Sequence, residues 1–283
     1  MKSKSYILFL SFTLLVFLFI QVKAQDEEEE GGSVFDQVDW QVGPGMVQMD
    51  DMAELNLPEG YLFANGDDTR LLMEAMGNPP SYTEKGMYGP PTLDWFVVFE
   101  FDDIGYVKDD EKDELDADDM LESIREANEE SNKYRRERGF TGLNITGWQT
   151  PPHYDALTQN LEWAISGMDD DGIPILNHNT RILGRSGVMR ITLVVNPDTI
   201  DAVLPVFKAH MKSFAFQTGQ KYTEFREGDK IAEYGLTALV VGGAAAVAAK
   251  SGLFKWLWKI LVVAGAAIVG FFKKLFGKKS QSQ

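Results

Sequence analysis

The chain has 283 residues and a formal net charge of −16, with 43 acidic residues against 27 basic residues and no cysteine. The lack of cysteine excludes disulfides, thiolate metal sites, a thiol nucleophile and a lipid-modified cysteine anchor, whatever the compartment. All the acidic residues lie within residues 25–249, and nucleic-acid binding needs Lys and Arg at the phosphates, so we expect no nucleic-acid partner; basic proteins or cations suit this charge better.

The N-terminal residues have the pattern of a secretory signal peptide. Lys2 and Lys4 precede an uncharged run, and Val22-Lys23-Ala24 offers small residues at both positions that signal peptidase reads. We therefore predict a signal peptide over residues 1–24, cleaved before Gln25. The alternative is an uncleaved signal anchor, because the run just reaches the length that spans a bilayer as a helix. Residues 25–33 are acidic and end in Gly-Gly-Ser, which predicts a linker.

The first half of the domain shows two helices and one strand. Asp67 begins a helical pattern that ends at Gly77, and the nearly continuous apolar run Leu93–Phe101 predicts a central strand. Residues 116–138 predict the clearest helix, with Asp116 as its N-cap and charged pairs four residues apart on its solvent face. These pairs are Arg125 with Glu129 and Glu129 with Lys133.

The second half shows strands separated by short turns. The strands are predicted at Leu143–Trp148, Leu161–Ser166, Ile173–Leu183 and Val188–Val195, with a turn at Thr150-Pro151-Pro152 after the first. In the fourth strand, apolar residues alternate with Arg190 and Thr192, which predicts one buried and one wetter face. A helix from Asn196 to Met211 and a short strand Ser213–Phe216 follow. Helices around an antiparallel meander predict an α+β fold over residues 34–230.

The C-terminus predicts a membrane anchor of one or two helices within residues 231–273, followed by a basic tail, residues 274–283. Three arrangements stay open: a span from about Leu236 to Phe254, a span near Trp256–Phe272, and a two-pass hairpin turning at residues 250–255. Each uses the lipid bilayer as a partner. Gly242 and Ala246, four residues apart, predict close packing of a second helix and self-association there. We expect a bacterial inner membrane location, with the domain extracytoplasmic.

Several short motifs resemble those of a family of bacterial membrane-anchored proteins, a domain of unknown function (DUF2167). They lie at residues 105–111 (Gly-Tyr-Val-Lys-Asp-Asp-Glu), 147–155, 160–164, 179–185 and 232–239 (Ala-Glu-Tyr-Gly-Leu-Thr-Ala-Leu). The resemblance covers nearly the whole mature chain. It implies a membrane-attached extracytoplasmic domain and brings no assigned activity or catalytic residues.

A polar cleft is the first candidate site. Arginine offers planar forked donors for a carboxylate or phosphate, and carboxylates in a cleft can act as acid and base. The residues proposed for it are Tyr154, Asp155, Glu162, Arg181 and Arg185. The alternative is that these side chains form cross-strand ion pairs on a wet face of the sheet.

Metal and nucleophile sites are disfavoured. His153, His178 and His210 lack the spacing of a helical zinc pair, and neither Asp109–Asp119 nor Asp169–Gly172 has the ligand order of an EF-hand loop. Ser186 lacks the Gly-x-Ser-x-Gly context of a nucleophile. We therefore expect no cofactor.

Two function classes follow. The first is a binding module of the cell envelope that meets a protein or glycan partner through its acidic face. The second is a carboxylate-dependent hydrolase with a cleft around Asp155 and Glu162.

Overall fold

The computed structural model describes residues 33–79, 81–113, 115–155, 158 and 160–242. The strands are β1 Gln41–Val42, β2 Gly45–Met49, β3 Ala53–Leu57, β4 Leu62–Asn65, β5 Glu84–Gly89, β6 Phe96–Asp102, β7 Leu143–Asp155, β8 Asn160–Asp169, β9 Pro174–Leu183, β10 Val188–Val195 and β11 Ala215–Phe216. The helices are α1 Gly66–Ala75, α2 Ala117–Glu137, α3 Ile200–Met211 and α4 Leu236–Val241.

The strands form two antiparallel sheets. The large sheet has eight strands in the order β1-β4-β5-β6-β10-β9-β8-β7, and the small sheet has the order β11-β3-β2. The consecutive strands β7 to β10 form the predicted meander, and β6 enters the sheet beside β10. The mostly antiparallel architecture with few helices that the sequence predicted is therefore confirmed.

The two faces of the large sheet are covered by different elements. One face, which we call the α3 face, packs residues such as Phe99, Ile191 and Leu193 against α3 and the small sheet. The other, the α2 face, packs Trp163 beneath α2 and α4, and Val98 near α1. Burial on both faces explains why β6 reads as a nearly continuous apolar run. Strand β10 is also buried on both faces, so the wetter face predicted for it is wrong.

Strand β7 is longer than predicted. The predicted turn at Thr150-Pro151-Pro152 is wrong, because the strand continues to Asp155 with irregular register against β8. The strand lies at the edge of the sheet, where a proline without an N–H costs little, and bulges absorb the extra residues.

Helix α2 is attached to the edge strand β7 by polar side chains. Asn128 and Asn132 both donate to the carbonyl of Leu143, and the Asn132 Oδ1 accepts from the Leu143 N–H. Arg125 donates to the carbonyl of Ile145 instead of pairing with a carboxylate one turn away, so the predicted Arg125–Glu129 pair is wrong. The helix thereby covers backbone groups that an edge strand would otherwise expose.

The helix caps are close to those predicted. Asp116 caps α2 by accepting from the backbone of Asp118 and Asp119, and Gly139 follows the helix with a positive φ of 81°. Helix α1 is capped by Asn65 rather than Asp67, because the Asn65 side chain accepts from two N–H groups of the first turn.

Helix α4 extends the packed domain towards the C-terminus. Leu236, Leu239 and Val240 are buried against the α2 face, so the packed domain continues past residue 230 and a span beginning at Leu236 does not occur. Gly242 follows the helix with a φ of 107°, a left-handed conformation that ends α4. Gly242 therefore ends α4; the predicted packing of Gly242 with Ala246 falls partly on Ala246, which lies outside the described residues.

No helix in the described part of the chain is both long enough and apolar enough to cross a bilayer. The predicted signal peptide, linker and residues 243–283, including the alternative spans near 250–272, lie outside the described residues.

Candidate functional site

The structure divides the residues of the predicted cleft between two faces of the sheet. Glu162 and Asp155 point to the α3 face. On the neighbouring strands, Tyr154 pairs with Leu161, and Leu161 pairs with Arg181. These three side chains point to the α2 face. Successive residues of a strand alternate between faces, so neighbours in sequence cannot share a cleft on one side. Tyr154, Asp155, Glu162 and Arg181 therefore do not form one site.

Arg185 has a separate structural role in the turn after β9. Its guanidinium donates twice to the Asp229 carboxylate, with both N–O distances 2.7 Å. Hydrogen bonds from Arg185 and from the Arg226 backbone lower the pKa of Asp229 to about 2. The pair joins this turn to the segment that leads into α4.

Glu162 meets two basic side chains on the α3 face. Lys208 Nζ of α3 is 3.5 Å from its Oε2, and His178 Nε2 is 3.9 Å from the same atom. Burial lowers the pKa of His178 to about 4 although Glu162 opposes this shift, so His178 is neutral near pH 7. His153 lies opposite Glu162 in the register of β7 and β8, and its ring faces the Pro151 carbonyl at 3.3 Å.

The third histidine has a packing role. His210 of α3 lies edge-on to Tyr61, with 4.7 Å between ring centroids, and burial lowers its pKa. Ser186, in the turn between β9 and β10, donates to the side chain of Gln220 at 3.3 Å. Neither residue lies beside Glu162 in the described contacts.

Two carboxylates of the acidic segments, Asp109 and Asp169, are hydrogen-bonded within the domain. Asp109 accepts from the Tyr154 hydroxyl at 3.4 Å, and burial together with Asp109 raises the pKa of Tyr154. Asp169 accepts from Asp171 and Ile173 within its turn. Among the described residues there is no group of three or more His, Asp or Glu side chains placed to hold a metal ion.

A row of buried charges crosses the α2 face. Glu84, Glu100, Arg190 and Arg181 lie directly opposite one another on β5, β6, β10 and β9, and each is at most 5% exposed. We call these four residues the charged row. Arg190 donates to Glu100 at 2.8 Å, and its Nε lies 3.2 Å from Asp102. Charges this deeply buried persist only where partners compensate for lost hydration.

The charged row has a supporting set of hydroxyls and one further arginine. Ser81 donates to Glu84 at 2.7 Å, and Thr83 donates to Glu100 at 3.1 Å. Arg70 of α1 reaches Glu84 from the side at 3.3 Å. Both carboxylates thereby receive hydrogen bonds inside the domain, as buried polar groups require.

The pKa values of Glu100, Arg190 and Arg181 in the charged row are shifted in different directions. Burial raises the pKa of Glu100, and Arg190 lowers it only in part. Burial opposes the charge of Arg190, yet Asp102 and Glu100 keep its pKa raised. Burial and the neighbouring Arg190 lower the pKa of Arg181 to about 9.

Sequence reasoning missed the charged row. It placed Arg190 on the wetter face of its strand, but all eight residues of β10 are buried. Arg181 was proposed for an open cleft, but it is only 3% exposed and stacks on the Trp163 ring with 4.5 Å to the centroid. The signal that could have found the row is the presence of Arg, Glu and Asn within strands that are otherwise apolar.

The family motifs at 105–111 and 232–239 meet in space. The Tyr106 N–H donates to the Lys230 carbonyl, and the Ala232 N–H donates to the Tyr106 carbonyl. The Glu111 carboxylate accepts from the Thr237 N–H and so caps α4. We call this contact the motif clasp; it fixes the start of α4 on the domain.

The fold and these motifs define an α+β domain built on a large antiparallel sheet. The model of the family "Protein of unknown function (DUF2167)" matches residues 41–273, so the chain belongs to this family. Among curated proteins, none matches the sequence. One solved structure with some similarity is the solution structure of cyanobacterial PsbP (CyanoP) from Synechocystis sp. PCC 6803, at 12% identity and a TM-score of 0.37, covering 63% of this chain and 92% of that one.

Proposed function

We propose that this protein is a membrane-attached, extracytoplasmic binding module that holds a cationic envelope protein on its acidic surface. Membership of a family of unknown function fits a binding role and supplies no catalytic residues. The signal-peptide pattern and the Lys-flanked apolar C-terminus support export and attachment.

The observation that carries this proposal is an exposed acidic ridge along the loop before α2 and the outer side of that helix. Exposed Lys108, Lys112 and Arg125 lie among these carboxylates, and the Arg125 guanidinium is turned to β7 carbonyls. The carboxylates outnumber these three cations, and a surface with an excess of one sign attracts partners of the opposite sign and raises their association rate. The exposed carboxylates of the ridge are Asp110, Asp113, Asp116, Asp118, Glu122, Glu126 and Glu129.

The charge of the ridge favours a protein over a glycan as partner. A neutral glycan gains little from a row of carboxylates, whereas Lys and Arg side chains pair with them directly. Rim charges act mainly on the association rate, so the binding should weaken as salt rises.

A pull-down of the full chain in mild detergent tests the ridge. The test variant carries Asp113→Asn, Asp118→Asn, Glu122→Gln, Glu126→Gln and Glu129→Gln. A matched control neutralises five exposed acids elsewhere, Asp39, Glu59, Asp198, Asp201 and Glu227. We expect a basic envelope protein to be retained by the wild type and by the control but lost from the ridge variant. Equal recovery by all three would rule the ridge out as the binding surface.

The position of the anchor follows from helix α4. Because residues 236–241 are in the domain core, the anchor that we propose lies after Gly242. Residues 243–273 still provide more than the roughly 20 residues that one span needs. Reporter fusions after residues 228, 252 and 283 test this, and a full-length product released by alkaline carbonate would contradict membrane attachment.

A hydrolase remains the second candidate, because one observation favours it. The buried His178 Nε2 has no hydrogen-bond partner and faces the Glu162 carboxylate at 3.9 Å, a spacing that could tighten around a substrate. Asp155 lies on the same face as Glu162 but is separated from it along the strands. Hydrolysis of chromogenic ester and glycoside substrates that Glu162→Gln abolishes and Asp198→Asn leaves intact would establish this activity; no hydrolysis by the wild type would remove it.

A further inference from the structure

Arg181 is a buried cation without a carboxylate of its own. The neighbouring Arg190 forms ion pairs with Glu100 and Asp102, and Arg70 reaches Glu84. Arg181 makes no ion pair with any described residue; its one hydrogen bond is from an Nη to the Thr180 carbonyl at 3.3 Å. Two guanidinium groups therefore lie on neighbouring strands, and the carboxylates around them contact only one.

Two donors beside each other lack acceptors at this point. The Nε of Arg181 and the Nε1 of Trp163 are both buried and have no hydrogen-bond partner. The guanidinium stacks on the same indole ring, so both groups belong to one small region of the α2 face. Buried donors are almost always paired in folded proteins, so two together indicate a missing acceptor.

The charge state makes an anion the fitting acceptor. With a pKa of about 9, Arg181 is still protonated at neutral pH. Asp102 and Glu100 offset the burial of this charge and the repulsion from Arg190 only in part, so a neutral acceptor would complete the hydrogen bonds but leave much of the desolvation cost in place. An anion supplies both a negative charge and the acceptor.

We propose that Arg181 and Trp163 form a buried binding site for a compact monovalent anion, a halide or the carboxylate of a one- or two-carbon acid. Leu161, Ile165 and Leu183 on this face are buried and apolar, and the buried Asn179 opposite Trp163 donates its side-chain amide to the Asn177 carbonyl. Such walls suit an anion that is satisfied by two donors, whereas phosphate or sulfate would require many more. The site extends the charged row, and it does not depend on the proposed partner of the acidic ridge.

Thermal unfolding of the full chain in mild detergent tests the site. Sodium gluconate, whose anion is large, is replaced at constant ionic strength by sodium chloride in one series and by sodium formate in another. A ligand that binds only the folded state raises the midpoint with the logarithm of its concentration once that concentration exceeds Kd, here by about 3–8 °C. We expect this response in the wild type. A rise in chloride alone assigns a halide, and a rise in formate assigns a carboxylate.

Two variants separate site binding from general salt effects. Arg181→Met removes the guanidinium and should abolish the anion-specific rise, while Trp163→Phe removes one donor and should raise the apparent Kd fitted to that rise about tenfold. Arg136→Met, at an exposed pair with Asp170, should respond like the wild type. Equal responses in all four proteins, or none in the wild type, would overturn the proposal.

Diffraction keeps the proposal testable if Arg181→Met does not fold. Crystals of the wild type grown in bromide should show an anomalous peak within hydrogen-bond distance of Arg181 Nε and Trp163 Nε1. Bromide found only on the surface would refute the site.

Discussion

Replacing Arg190 by Met tests whether the charged row stabilises the domain. Methionine keeps much of the volume and removes the positive charge that Glu100 and Asp102 share at 2.8 and 3.2 Å. Removing one partner of a buried pair costs about 3–5 kcal/mol, because the remaining charge stays buried. Asp102 is partly exposed, so its loss of the ion pair costs less stability than that of Glu100. We therefore expect Arg190→Met to lower the free energy of unfolding by about 3–4 kcal/mol at pH 7. That is a large fraction of the roughly 5–15 kcal/mol of a typical domain.

The same variant should show a characteristic pH dependence. Glu100 already has a raised pKa in the folded protein, and losing Arg190 removes the larger of the two charges that lower it and leaves only Arg181. A carboxyl with a raised folded pKa binds more protons in the folded state, so its contribution falls as pH rises above its unfolded pKa. The cost of Arg190→Met should therefore be smaller near pH 5 than near pH 7.

Urea unfolding of the full chain, followed by near-UV circular dichroism, measures both effects. Adding Glu100→Gln to Arg190→Met should recover about 1–3 kcal/mol, because the two residues interact directly. Arg136→Met is the matched control at an exposed pair and should cost less than about 1 kcal/mol. If Arg190→Met cost no more than this control, or if its cost did not change with pH, the reasoning about buried charge would be refuted.

Three further predictions concern other contacts. Asn132→Ala should cost about 1–3 kcal/mol, because it leaves the Leu143 N–H without its acceptor; hydrogen exchange at that amide should accelerate. Glu111→Ala should cost about 1 kcal/mol and speed proteolysis near α4, because the Thr237 N–H loses its cap. The free energy of unfolding should fall as the pH drops from 6.5 towards 4, because in this range the unfolded chain binds a proton at His178 and the folded protein does not. In urea titrations, His178→Gln should make the free energy of unfolding depend less on pH.

Each of these predictions has a control close by. Asn144→Ala, at an exposed position on the same strand, should leave exchange at Leu143 unchanged. Asp110→Ala lies next to Glu111 and should not affect proteolysis at α4. His153→Gln, at an exposed histidine, should keep the wild-type pH slope. Effects of equal size in test and control variants would contradict the specific contacts.

The sequence was most informative where one physical signal dominated. The period of α2, with Asp116 and Gly139 at its ends, predicted that helix within a residue or two. The apolar run at 93–101 predicted β6, alternation predicted β10, and the short turns on either side predicted β9. These elements are buried or capped by their own residues, so local pattern and tertiary packing agree.

The first third of the domain was much harder to predict. Strands β1 to β5 are short, and their residues include Gly, Asn and Glu. Only β2 and β3 form a local hairpin, whereas β1 pairs with β4 across that hairpin and β4 pairs with β5 across α1. Glu84 is an example: it lies in β5 because that strand pairs with β6, where Glu84 is opposite Glu100, and not because glutamate favours strands. Long-range pairing has no local signature in a single sequence.

The candidate site was harder still, because faces depend on register. Tyr154, Asp155, Glu162 and Arg181 were grouped by residue type, and register places them on opposite sides of the sheet. At the C-terminus, Leu236–Val241 is equally apolar whether it meets lipid or protein. Composition alone cannot distinguish these two surroundings.

The motif clasp has a mechanical consequence. The chain leaves the described domain through α4, which packs with α2 over strands β7 to β9; Glu111 caps the helix, and the backbone of Tyr106 holds the segment before it. A pull on the C-terminal end would therefore act first on the buried contacts of α4. If that end is held in a bilayer, tension between the domain and the membrane is resisted by the many packing contacts of α4, which must break together.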